Sequence, residues 1–115
     1  MRKFFTGFVY AFRGIRVAFA EQRNLKVQLA VSLITIAAGF YYHVTNVEWL
    51  ALVIIISLVI SLEMINSSLE SLVDLVTSER KPLAGKVKDI AAGAVLIAAV
   101  FSVVVGFLIF KKYIF

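Results

Sequence analysis

Apolar positions recur along this chain in two distinct ways. Over the first twenty residues Phe4, Phe8, Phe12, Ile15 and Phe19 return at about 100° per residue and share one helical face, with Arg2, Arg13 and Arg16 gathered beside it. Farther on the periodicity gives way to continuous apolar runs. Val27–Tyr42 carries no formal charge, Trp49–Leu62 is almost wholly apolar, and Ile90–Phe110 is uncharged throughout. A helix needs roughly 20 apolar residues to cross a bilayer. The pattern therefore predicts an all-α membrane protein, with an amphipathic surface helix at about 2–22 and three transmembrane helices at about 26–43, 48–75 and 88–110.

The first helix superficially resembles a signal peptide, with Arg2 and Lys3 leading and Ala18-Phe19-Ala20 as a cleavage-like end. Arg13 and Arg16 would interrupt the apolar region of such a peptide, so the segment reads better as a helix lying in the interface. An amphipathic helix packed on protein is the alternative. Tyr41, Tyr42 and Trp49 stand where interfacial aromatics anchor the turn between the first two spans. His43 in that turn reads as an interfacial polar residue, because Glu48 alone is near it in sequence as a partner for chemistry. Thr77-Ser78-Glu79-Arg80-Lys81-Pro82, holding the sole proline, reads as the loop before the last span.

Composition agrees with a lipid environment. At 62% hydrophobic residues and a mean hydropathy of +0.97, 115 residues cannot bury their apolar side chains in a water-soluble core, and one domain, 1–115, fills the length. The absence of cysteine removes disulfides, thiolate metal sites and thiol nucleophiles. A net charge of +5 in so apolar a chain points to an anionic membrane face rather than to nucleic acid. The basic residues are also asymmetric. Six precede the first span, and Arg80, Lys81, Lys86 and Lys88 lie between the second and third, whereas Lys111 and Lys112 sit at the other side. The rule relating basic loops to the cytoplasm places the amino terminus inside and the carboxyl terminus outside.

One feature resists explanation as packing. Glu63, Asn66, Glu70 and Asp74 follow one another at spacings of three, four and four, which confines three carboxylates and an amide to a stripe about 80° wide on the second span. Acidic residues at the centre of a span each cost about 2.5–3.5 kcal/mol, less toward the interface. Such a stripe needs a divalent cation, a cationic loop or a shared proton. Lys86, Lys88 and Asp89 fall near the predicted start of the third span, where Lys88 could meet a phosphate alongside free backbone N–H groups and Asp89 could cap the helix or approach a metal. Glu21 adds a carboxylate at the same membrane face. Oxygen ligands of this kind suit Mg2+ bridged to nucleotide phosphates.

Other chemistries fit less well. Gly85-Lys86 is followed by Val87 and lacks the upstream glycine of a phosphate-binding P-loop, and no GxGxxG occurs. Ser67 and Ser68 have no histidine base nearby, since His43 lies at the opposite interface. Phosphoryl transfer remains open, because it asks mainly for in-line positioning, charge stabilisation and a carboxylate to receive the acceptor's proton.

Two stretches, Glu63-Met64-Ile65-Asn66-Ser67-Ser68-Leu69-Glu70-Ser71-Leu72-Val73-Asp74 and Lys88-Asp89-Ile90-Ala91-Ala92-Gly93-Ala94-Val95-Leu96, resemble the prokaryotic diacylglycerol kinase and undecaprenol kinase family. Tyr10-Ala11-Phe12-Arg13-Gly14-Ile15-Arg16 and Glu21-Gln22-Arg23-Asn24 extend the likeness over nearly the whole chain. The resemblance implies a homotrimer with sites shared between subunits, and ATP-dependent phosphorylation of a membrane lipid alcohol. It also implies roles: Glu63 as general base, Asn66 orienting groups at the reacting centre, Glu21 and Glu70 as Mg2+ ligands, and Tyr10, Lys88 and Asp89 at the nucleotide. Glu79-Arg80-Lys81 departs from the acidic-aromatic-histidine loop more familiar in the family. The Glu21–Asn24 stretch and the Ala-Ala-Gly start of the last span are more similar to the undecaprenol kinase branch, so undecaprenol is slightly preferred over diacylglycerol. A small proton-coupled transporter, or a scaffold with the stripe as its assembly interface, are the competing readings.

Overall fold

The computed structural model describes all residues from Met1 to Phe115. Four helices make up the chain: α1, Arg2–Glu21; α2, Arg23–Tyr41; α3, Asn46–Val76; and α4, Pro82–Ile114. The last three are long and apolar enough to cross a membrane. No residue of α1 is buried, as expected of a helix at a surface. A single extended residue, Gln22 (φ −95°, ψ 114°), joins α1 to α2.

The turn between α2 and α3 follows from local hydrogen bonding. His43 adopts φ 54°, and its N–H donates to the Phe40 carbonyl at 3.4 Å while the Val44 N–H donates to the Gly39 carbonyl at 3.1 Å. This paired pattern satisfies the last carbonyls of α2 and uses a left-handed residue after the cap. Thr45 then caps α3: its Oγ1 accepts from the Glu48 N–H at 3.2 Å, and Glu48 Oε1 accepts from the Thr45 N–H at 3.0 Å. The two helices close tightly here because Gly39 lies under the Trp49 ring; a Cβ at residue 39 would stand 2.6 Å from the indole.

Helices α3 and α4 form the most extensive pair and run antiparallel. At one end Lys88 Nζ meets Asp74 Oδ1 at 2.7 Å. At the other, Tyr113 Oη donates to Glu48 Oε1 at 2.6 Å and Lys112 Nζ lies 2.9 Å from Glu48 Oε2. Tyr42 stacks on Tyr113, with ring centroids 5.7 Å apart, above a small core of Val44, Leu52 and Ile109. Asp74 and Glu48 are separated by about 39 Å of helix at 1.5 Å per residue, more than the roughly 30 Å of bilayer hydrocarbon. The hairpin is thus fastened at both of its ends.

One boundary differs from the sequence reading. The last helix begins at Pro82 rather than near residue 88, with Lys81 as its cap residue and Pro82 in its first turn. Proline at this place has no N–H to lose and a φ already suited to the helix, and Leu83, Ala84 and Lys86 are good helix formers. Their charge resembles a loop's, but their backbone is helical. Lys88 and Asp89 consequently lie inside the helix, beyond its free N–H groups, and Asp89 does not cap it. Lys112 also looks different in three dimensions: this one of the two basic residues on the minority side is matched to Glu48.

Candidate active site

The polar stripe of α3 does not face lipid along its whole length. Glu63 is 4% exposed and Asn66 7% exposed, which places both inside the protein, whereas Glu70 is half-buried and Asp74 is exposed. The stripe therefore divides in two. Its outer end is neutralised by Lys88, the cationic segment being one of the partners that the spacing called for. Its inner end is under-satisfied: Glu63 makes no side-chain hydrogen bond or ion pair within the chain, and Asn66 reaches Glu70 Oε1 through its amide nitrogen at a long 3.4 Å while its Oδ1 is buried without a partner. Buried polar groups are normally hydrogen-bonded, so an idle carboxamide oxygen beside a buried carboxylate marks a place prepared for something else.

Cavities flank this face on both sides. Beneath α1 a cavity of about 690 Å³ is lined by Tyr10, Arg13 and Glu21, and across from them by Met64, Ser67, Ser68 and Ser71 of α3. Arg13 holds its guanidinium 5.6 Å above the Tyr10 ring, which fixes both side chains at its edge. On the other side Asn66 opens onto a cavity of about 370 Å³ against Val87, Ala91 and Ala94 of α4. A third, of about 520 Å³, lies at the end of the hairpin between Asp74, Lys88 and the Thr77–Lys81 turn, so Glu79, Arg80 and Lys81 border the same space as Lys88.

The fold thus brings Tyr10 and Glu21 to the flank of the stripe and sets Lys88 at its outer end. It leaves Asp89 exposed and without a side-chain hydrogen bond. Glu21 and Glu70 do not share a cavity, and no three acidic groups of one chain come together as a metal site. Two residues escaped the sequence reading. Ser67 is 8% exposed at the inner end of the site; its place one turn after Glu63 puts it beside the stripe, but its hydroxyl carries no charge to draw notice in the sequence. Glu48 was legible in principle, because Thr45-x-x-Glu48 before an apolar run is a capping signature.

A surface helix beside three long apolar helices, with a buried carboxylate and amide midway along α3 and cavities on either side, defines an integral membrane protein with a polar site inside it. The chain matches the family described as prokaryotic diacylglycerol kinase over residues 9–110. It is 38% identical over 110 residues to the undecaprenol kinase of Bacillus subtilis, covering 96% of this chain and 89% of that one. It is 40% identical over 100 residues to the diacylglycerol kinase of Synechocystis, covering 86% and 57%, and 33% identical to the diacylglycerol kinase of Helicobacter pylori strain J99, covering 87% and 78%. The chain belongs to the prokaryotic diacylglycerol kinase family, and is a lipid kinase.

Proposed function

We propose that this protein transfers the terminal phosphoryl group of ATP to the hydroxyl of a membrane lipid alcohol, with undecaprenol preferred over diacylglycerol. The observation that carries the reading is the buried, unpaired Glu63 beside the idle Oδ1 of Asn66. Glu63 takes the proton of the lipid hydroxyl as its oxygen bonds to phosphorus and the bond to the departing nucleotide breaks. Asn66 orients the reacting groups. Lys88 attracts the phosphates, in exchange with Asp74, and Tyr10 and Asp89 bear on the nucleotide. The preference for undecaprenol rests on the likeness to the Bacillus subtilis kinase, which spans more of both chains than the Synechocystis match.

The donor types suit Mg2+, a cation that favours oxygen ligands: Glu70, beside the unpartnered oxygen of Asn66, and Glu21 would hold it, although the two carboxylates of one chain do not converge. Bound there, it would offset negative charge on the transferring phosphate. The carboxylates of one chain stay apart, and thirty-eight large apolar residues face outward. The first observation favours an oligomer in which a neighbouring subunit completes each site, a homotrimer by the family resemblance, and the second suits contact with lipid. The basic residues before α2 and around the α3–α4 turn favour an amino terminus on the cytoplasmic side of a bacterial inner membrane, with the carboxyl terminus outside.

The test is phosphoryl transfer from labelled Mg-ATP by purified protein in mixed micelles containing undecaprenol or diacylglycerol. The expected product is the lipid phosphate, formed faster from undecaprenol. Transfer to neither lipid by assembled protein would overturn the proposal, and faster transfer to diacylglycerol would overturn the preference.

A further inference from the structure

Hydroxyl side chains inside helices usually donate back to a carbonyl three or four residues earlier. In this chain Thr6, Ser32, Thr35, Ser57 and Ser102 do so, at 2.6–2.9 Å, while Ser61, Ser68 and Ser71 do not but are exposed to their surroundings. Ser67 does not either. It is 8% exposed, its Oγ makes no hydrogen bond within the chain, and it lines the cavity under α1. The contrast with Ser32 is direct, because Ser32 is equally buried at 8% and donates to the Gln28 carbonyl at 2.7 Å.

Position adds to the contrast. Ser67 follows Glu63 by one helical turn and lies about 40° round from it, and side chains on a helix tilt toward its amino terminus, so the hydroxyl leans toward the Glu63 side of the face. The same cavity offers Arg13 and the phenol of Tyr10 at its rim and Met64, Ile15 and Ala18 along its wall. Such a space suits a small polar head with an apolar continuation.

We infer that Ser67 binds the acceptor lipid's primary alcohol, donating its hydroxyl proton to one lone pair of the alcohol oxygen and so holding the substrate's own O–H toward Glu63. This assignment rests on the lipid kinase reading above. The alcohol oxygen then has one lone pair accepting from Ser67 and one free for attack on phosphorus, while its proton passes to Glu63. Because both undecaprenol and diacylglycerol end in a primary alcohol, the contact serves either.

The experiment is steady-state kinetics of the full-length protein in mixed micelles, with lipid and ATP varied separately, for wild type, Ser67→Ala and Ser67→Thr. Loss of one neutral hydrogen bond predicts a rise in lipid KM of about three- to tenfold in Ser67→Ala for either lipid, with the KM for ATP unchanged. Ser67→Thr, which restores a hydroxyl, should recover most of that loss. Thermal unfolding in the same detergent separates a packing effect from a binding one. Unchanged lipid KM in Ser67→Ala, a shift in the KM for ATP instead, or equal losses in Ser67→Ala and Ser67→Thr would each overturn the assignment while leaving the kinase reading intact. An inactive wild type would overturn both.

Discussion

Glu48 and Tyr113, sixty-five residues apart, meet through a 2.6 Å hydrogen bond at the end of the α3–α4 hairpin farthest from the buried carboxylate. The same carboxylate caps α3 through the Thr45 N–H and pairs with Lys112. Glu48→Gln should therefore lower the unfolding temperature more than Lys112→Gln does, because one change weakens three contacts, the cap among them, and the other removes an ion pair and a cation–π contact with Tyr113. Thr45→Ala tests the cap alone and should cost about 1 kcal/mol. Unfolding of the purified variants in detergent, followed by circular dichroism, ranks them; a Lys112→Gln effect equal to that of Glu48→Gln would contradict the arrangement.

The α2–α3 turn yields two opposed expectations. Gly39→Ala forces a methyl against Trp49 and should destabilise by about 1–3 kcal/mol, with Trp49→Leu in the same chain recovering part of the loss. The same unfolding assay reads both.

His43→Gly should act in the other direction. A non-glycine residue in the left-handed region costs roughly 1–2 kcal/mol, and His43 at φ 54° occupies the place after a helix cap where glycine is favoured. Raised thermal stability with unaltered turnover is the expected result, consistent with a structural rather than chemical position for this residue.

Glu63→Gln should reduce kcat by about 10²- to 10⁴-fold, the range for loss of a general base, while the protein still assembles. Size-exclusion chromatography beside the turnover assay separates the two outcomes. A variant that dissociates before it loses activity would favour the scaffold reading.

Lys88→Met separates a phosphate contact from a structural ion pair. Its partner Asp74 is largely exposed, and exposed pairs contribute about 0–1 kcal/mol, so stability should change little. The KM for ATP should nevertheless rise at least about tenfold, a hydrogen bond from a charged donor being worth roughly 1.5–3 kcal/mol. Asp74→Asn, which frees the lysine, should not raise it.

Much of this architecture can be read from apolar run lengths, because lipid imposes a simple demand on a helix. The surface helix and three crossings follow from Phe4 to Phe19 and from the uncharged runs ending at Tyr42, Leu62 and Phe110. The true start of α4 was obscured because Leu83 to Lys88 have loop-like charge and helical backbone, and because Pro82 can end one helix or begin another. The stripe on α3 was legible as a shared face, since spacing fixes azimuth. Its division into an inner pair, Glu63 and Asn66, and an outer residue bound to Lys88 was not, since burial depends on what neighbouring helices cover. The meeting of Glu48 with Lys112 and Tyr113 lay beyond local pattern altogether, being set by the register of two long helices.

Fastening at both ends makes the α3–α4 hairpin a ruler. Glu63 hangs about 16 Å along the helix from Asp74 and about 22 Å from Glu48, distances fixed by helical rise and not by the surrounding lipid. The plane in which lipid alcohols float, by contrast, moves with acyl chain length. On the base role proposed for Glu63, membrane thickness becomes a tuning variable, and turnover is expected to peak where the floating hydroxyl and the suspended carboxylate stand level.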